Sequence, residues 1–285
     1  ASGAVKFWGP YPYRSPFHSN SEQQECQRAL QHLEEVLMVE GPQTVAMIAL
    51  ETVVGTNGIL VPPDGYLQGV REICNKHGIV MMCDEVMAGF GRCGEWFAVN
   101  KWNVTPDLIC FAKGVNSGYI PLGGVVISQK IADTFRDRVF PGGLTYSGHP
   151  LACAAAVASI NIFKEEKIVE HARMLGKDVI GPALEKMKAK HPSVGDVRGL
   201  GVFWAIELVK NRETREPYVP FNASGPDAKP MMDLIVACKE RNLWPFTHFN
   251  RIHVVPPCNT PVEDVKTGLA IIDEVLDIAD KHCKN

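Results

Sequence analysis

Four short apolar runs alternate with amphipathic stretches through the first 128 residues, and this alternation restricts the fold more than any other feature of the chain. The runs are TVAMIALE (44–51), IVMMCDEV (79–86), DLICFAK (107–113) and GGVVIS (123–128). Each is short and apolar nearly throughout, the pattern of a strand buried on both faces. Ahead of them, residues 21–41 place Leu30, Leu33, Val36 and Leu37 at helical spacing, behind a capping Ser21 and before a terminating Gly41. Residues 64–78 repeat the design, with Asp64 as the expected N-cap, Leu67, Val70, Ile73 and Cys74 facing inward, and Gly78 as the C-cap. Strands alternating with helices predict an α/β fold on a mostly parallel sheet covered by helices.

After Pro150 the pattern changes. LACAAAVASINIFKEE is a long Ala-rich helix, and EHARMLGKDVIGPALEKMKAKH continues helical. DVRGLGVFWAIELV and RIHVVPP read as strands, a Pro/Gly-rich loop lies between them, and PVEDVKTGLAIIDEVLDIADKHCK is a closing amphipathic helix. The expected division is a first domain over residues 1–165 and a smaller C-terminal α+β domain over 166–285.

Composition excludes several classes of function. A net charge of −3 gives no electrostatic reason to bind nucleic acid or an acidic membrane, and no apolar run is long enough to span a bilayer. The first residues carry no apolar core of a secretory signal. The nine cysteines form no C-x-x-C pair or tight His/Cys cluster, which points to reduced thiols in a cytoplasmic protein and away from zinc or any other metal.

In an open α/β sheet, ligands bind beyond the carboxyl ends of the strands. One run ends in Asp84-Glu85 and another in Lys113. A desolvated lysine is a usable amine nucleophile toward a carbonyl, and a neighbouring carboxylate can hold a proton on a pyridine ring. This is the pair expected of a pyridoxal phosphate (PLP) site. Taken bare, a lysine after a strand is ordinarily a solvated loop residue, and a lone Asp a cap.

The surrounding sequence adds to the pair. DEVMAGFGRCGEWFA followed by PDLICFAKGVNSGYIPLGG resembles the class III (subgroup II) aminotransferases of PLP fold type I, the aspartate aminotransferase-like fold. The separation of Asp84 from Lys113, 113 − 84 = 29 residues, matches that family. ETVVGTNGILVPPDGYLQGVREIC most resembles the taurine–pyruvate and ω-amino acid–pyruvate transaminases. The resemblance implies pyridoxal 5′-phosphate as cofactor and ping-pong transfer of an amino group from an amine or ω-amino acid to a keto acid such as pyruvate. It makes Lys113 the lysine that forms the aldimine and shuttles the proton, and Asp84 the partner of the pyridinium nitrogen. Val86, placed by strand alternation on the face of Asp84, would pack on the ring. Glu51 would lie near the substrate, followed by Thr52 where relatives carry Pro.

GGLTYSGHPLACAA matches a segment in which Thr145 gives its hydroxyl to the cofactor phosphate of the opposite subunit, implying a homodimer with shared sites. Arg92 and His149 lie in family motifs and read as structural. Gly114, Gly118, Gly123 and Gly124 would keep side chains out of the cofactor's space. In many pyruvate-dependent relatives a carboxylate-clamping arginine sits ten residues before the Pro-Pro; here 256 − 10 = 246 is Phe246. Arg251, at an odd offset, is expected on the other face of an extended strand unless a loop in FTHFNR shifts the register. The Gly-Ser phosphate turn and stacking aromatic that relatives carry upstream have no match, so the chain alone is expected to hold PLP poorly. That leaves an alternative, a truncated non-catalytic remnant or scaffold. GFGRCG (89–94) matches a dinucleotide-binding fingerprint, but Asp107, only 13 residues past Gly94, falls short of the acid it requires.

Overall fold

The computed structural model describes residues 3–283. The chain divides into two units: one takes the chain up to Val53, then Val61–Phe90 and Trp96–Glu166; the other takes Val54–Leu60, Gly91–Glu95 and the chain from Lys167 onward.

In the first unit, helix α1 (Glu22–Glu40) starts where Ser21 Oγ accepts the Gln24 N–H at 3.2 Å and stops at Gly41, with φ 81°. It buries Cys26, Ala29, Leu33 and Leu37. Strand β1 (Met47–Glu51) follows, then α2 (Tyr66–His77), which ends on a left-handed Gly78. The N-cap of α2 is Gly65 rather than the expected Asp64, whose Oδ1 instead accepts the Trp102 indole N–H at 3.3 Å. Strands β2 (Val80–Asp84), β3 (Leu108–Phe111) and β4 (Gly124–Ile127), then helices α3 (Gln129–Thr134) and α4 (Pro150–Glu165), complete the unit. The sheet order is β1-β2-β3-β4, with the first three parallel and β4 antiparallel to β3. The link from β3 to β4 contains only a short 3₁₀ turn, and without a crossover helix the chain returns alongside β3 in the opposite sense.

The second unit opens with α5 (Ile168–Met174), which runs through a π-helical turn (Leu175–Ile180) into α6 (Gly181–Lys190). Strands β5 (Val194–Leu200), β6 (Phe203–Asn211) and a two-residue β7 (Glu216–Pro217) follow, then α7 (Lys229–Glu240), β8 (Phe246–His248), β9 (Arg251–Val254) and α8 (Val262–Asp280). The sheet runs β5-β6-β9-β8, antiparallel throughout, with β7 beside β6. The single strand expected over 196–209 is two, because Gly201 turns the chain at φ 54°. Val197, Ile206, Leu208, Ile252 and Val254 form an apolar core with Leu175, Leu184, Leu234, Leu269 and Leu276 from the helices. Buried His191 sits between two carboxylates, Nε2 3.0 Å from Asp273 Oδ1 and Nδ1 2.7 Å from Asp280 Oδ2. No helix among the described residues is long and apolar enough to cross a membrane.

Candidate active site

Parallel pairing in the first unit sets three strand ends side by side. Glu51 is in register with Asp84, and Asp84 with Cys110, so one row crosses β1, β2 and β3 at their carboxyl ends. Lys113 follows β3 directly, as the first residue of a 3₁₀ turn over Lys113–Asn116. Its φ is 43°, a left-handed conformation uncommon outside glycine and one that gathers at functional sites. The turn is held by buried Asn116, whose amide donates to Ile120 O at 2.5 Å while its Oδ1 accepts the Gly118 N–H at 3.2 Å. Lys113 is exposed, Asp84 half-buried and Glu51 exposed.

The Asp84 carboxylate is oriented by its own chain, with Oδ1 accepting the Val86 N–H at 2.9 Å. Among the described residues no protein donor reaches Oδ2. β2 stops at Asp84, so Val86 lies in the turn beyond it, and strand alternation does not set its face. The adjoining acid, Glu85, is fully buried: Oε1 takes the Thr52 hydroxyl at 2.7 Å and the Val99 N–H at 2.9 Å, and Oε2 takes the Ala98 N–H at 2.7 Å. Burial pushes its carboxyl above the usual range, against the pull of these donors. Glu85 therefore anchors the turn, and the Thr52 found in place of Pro is its partner. In sequence, the departure at Thr52 was the only trace of this pair.

The glycines after Lys113 also have a reason within the protein itself. A Cβ at Gly114 would stand 2.8 Å from Phe90 Cβ, one at Gly123 would stand 3.2 Å from Phe111 O, and one at Gly124 would overlap the Phe111 ring. These residues admit the protein's own aromatic cluster of Phe90, Phe97 and Phe111, with centroids 5.4–6.5 Å apart. Only Gly118 has open space, and it is required by φ 77°.

Thr145 is exposed in the turn 145–148 before α4, and its side chain makes no hydrogen bond among the described residues; α4 itself packs on the turn that carries Lys113. His149 is the residue before α4 and caps nothing with its side chain. In the second unit, Arg92 donates to Pro256 O at 2.5 Å and Val202 O at 3.2 Å, a structural role. Two glycines of GFGRCG are likewise met by protein. A Cβ at Gly89 would stand 2.9 Å from Glu85 O, and one at Gly94 would stand 3.1 Å from Arg173 Cα. Asp107, the candidate acid of that fingerprint, is committed to Arg71 at 2.7 Å and to the Met81 N–H at 2.8 Å.

Phe246 is on edge strand β8, with its ring edge-on to His253 at a centroid distance of 5.0 Å. Arg251 does not face away from it as an unbroken strand would require, because a turn within FTHFNR shifts the register. β8 and β9 form a hairpin reversing at Phe249-Asn250, so Phe246 pairs with His253 and His248 with Arg251. Offset parity holds only along one continuous strand; across this reversal Phe246, His248, Arg251 and His253 share a face.

Comparison with known proteins places this geometry. The family model for class-III aminotransferases matches residues 8–276. Putrescine–pyruvate aminotransferase from Pseudomonas aeruginosa is 44% identical over 194 residues, 67% of this chain and 42% of that protein. Taurine–pyruvate aminotransferase from Bilophila wadsworthia is 41% identical over 191 residues, 65% of this chain and 42% of its own. The crystal structure of taurine:2-oxoglutarate aminotransferase from Bifidobacterium kashiwanohense, in complex with PLP and glutamate, superposes with a TM-score of 0.92 at 41% identity, covering 99% of this chain and 62% of that one. The chain spans about half the length of the curated relatives it matches. With its helices and parallel strands in the arrangement of PLP fold type I, the chain belongs to the class III aminotransferase family.

Proposed function

We propose that this chain carries the lysine-bearing part of a PLP-dependent transaminase that moves an amino group from an amine or ω-amino acid to a keto acid such as pyruvate. The observation that carries this reading is the placement of Lys113, in a strained left-handed turn, after the strand that pairs with the one ending in Asp84. The residues present fit the cofactor. An amine and an oriented carboxylate with one oxygen open to a donor are the two groups that hold and tune a pyridoxal ring. When bound, PLP supplies an electron sink for the carbanion left after a proton is removed from the substrate.

In this reading the Lys113 Nζ holds the cofactor and then moves the proton, in the manner of a general acid–base. Asp84 Oδ2 keeps the proton on the pyridine nitrogen, and Val86 packs on the ring from the turn. Glu51, in register with Asp84, faces the substrate, and Phe246 contributes to the substrate pocket. Thr145 gives its hydroxyl to the phosphate bound by the other subunit of a homodimer, a reading supported by its exposed place in the turn before α4. Residues 1–165 would be the C-terminal portion of the large cofactor domain and 166–285 the small domain, in a cytoplasmic enzyme. Relatives named for putrescine, taurine and pyruvate support this substrate class.

The test is borohydride reduction after incubation with PLP, followed by peptide mapping. A pyridoxyl group on Lys113, absent from Lys113→Ala, is the expected result. A label on another lysine, or none in a protein shown to retain PLP, would overturn the reading.

A further inference from the structure

The turn that begins at Lys113 is held in a conformation its residues resist. Lys113 is left-handed at φ 43°, Ser117 at 54° and Gly118 at 77°, and only the last is a glycine. Backbone of this kind persists where its surroundings fix it from more than one direction. On one side the fixing group is Phe90, which leaves no room for a Cβ at Gly114, the neighbour of Lys113. On the other side it is Asn116, whose side chain is buried at 1% exposure.

Asn116 closes the segment after it with three hydrogen bonds. Its Nδ2 donates to Ile120 O at 2.5 Å, its Oδ1 accepts the Gly118 N–H at 3.2 Å, and its backbone carbonyl accepts the Tyr119 N–H at 3.2 Å. Both ends of the amide are used. Serine offers a single oxygen for the two side-chain bonds, and an ionised aspartate has no N–H to give Ile120. Lys113 and Asn116 are the two ends of one 3₁₀ turn, which is tied internally by the Val115 N–H on Ala112 O at 3.2 Å. What fixes Asn116 therefore fixes Lys113 as well.

We propose that Asn116 is a positioning residue for Lys113: it keeps the lysine backbone left-handed, and that conformation aims the amine. The role rests on the transaminase reading of Lys113. A return to an ordinary φ of about −60° would turn the Lys113 Cα–Cβ bond by about 100° around the N–Cα axis and re-aim the amine relative to Asp84. Misplacing a reacting group by about 1 Å can cost about 10²-fold in rate.

Two measurements on the 285-residue chain test this without turnover. The first reads the backbone. A left-handed residue gives a strong intraresidue amide–Hα cross-peak in NMR, expected for Lys113 in the parent and weakened in Asn116→Ala. The second reads the amine. Borohydride trapping with PLP in excess should label Lys113 about tenfold or more slowly in Asn116→Ala, with the other lysines unchanged. Asn116→Ser should fall between the two, and it serves as the folded comparison if the alanine variant unfolds. A strong Lys113 cross-peak in both variants, a parental labelling rate at Lys113 in both, or an equal slowing at every lysine would overturn the assignment. An unlabelled Lys113 in the parent would overturn the transaminase reading and this role together, whereas failure in the variants alone removes only the role of Asn116.

Discussion

The Thr52 hydroxyl donates to Glu85 Oε1 across 2.7 Å, with both side chains buried, and ties the end of β1 to the turn beyond β2. Thr52→Val keeps the shape and removes the donor from a buried carboxylate. The expected loss is about 1–3 kcal/mol, read as a lower urea midpoint. The sign with pH is fixed by Glu85, whose folded value already stands above the ordinary 4.5 because burial disfavours the ion. Without Thr52 it rises further, so the deficit of the variant is larger at pH 7 than at pH 4, where the carboxyl is protonated. Equal deficits at both pH values would contradict the assignment.

Asp107 holds Arg71 and the Met81 N–H at the start of β3. Although burial opposes ionisation, the Met81 N–H and the Arg71 guanidinium win and hold its carboxyl below the ordinary 3.8. A depressed acid contributes stability that is present above its unfolded value and lost as pH falls through the folded one. Asp107→Asn should therefore be less stable than the parent at pH 7, and the gap should close below about pH 3.8. Melting curves at pH 3 and pH 7 decide it.

Gly201 is left-handed at φ 54°, with the Gly94 backbone directly against its α-carbon, and Gly176 meets the Gly201 carbonyl in the same way. Gly201→Ala meets backbone that cannot turn aside and a φ that alanine resists. A loss of about 2–4 kcal/mol is expected from strain and overpacking together. Gly118→Ala, at an equally left-handed position in open space, should cost less; chemical denaturation of the two variants side by side tests the difference.

Asp84→Asn changes a charge with little change of shape. If Asp84 keeps the pyridine nitrogen protonated, half-reaction rates with PLP saturated should fall about 10²–10³-fold. Stopped-flow rates within tenfold of the parent would argue against the role.

What the sequence disclosed and what it hid follow from the range of each interaction. Ser21, Gly41 and Gly78 act on their own helix ends, and those ends were readable. The places of Asp84 and Lys113 at the ends of neighbouring strands were readable because strand ends are local. Asp64 looked like a cap until the Trp102 indole, 38 residues on, engaged it. Glu85 looked like a twin of Asp84, and only the fold shows one acid buried under three donors and the other left half open. Parity misjudged Arg251 because two residues of turn, Phe249-Asn250, make one apparent strand into two. The glycines near Lys113 were explained by Phe90 and Phe111, which are partners that periodicity cannot nominate.

The segments Val54–Leu60 and Gly91–Glu95 are synthesised early and used late. Gly58 waits for Arg198, 140 residues downstream, and Gly94 for the turn at Gly201. A nascent chain that has reached Glu166 thus displays two strips whose companions do not yet exist, and such distant closures slow folding and lengthen exposure to chaperones. The same dependence limits engineering. Residues 167–285 taken alone would leave Arg198 without its Gly58 carbonyl and Val202 without its Arg92 partner, so the C-terminal half is not a portable module, and a graft must carry both strips with it.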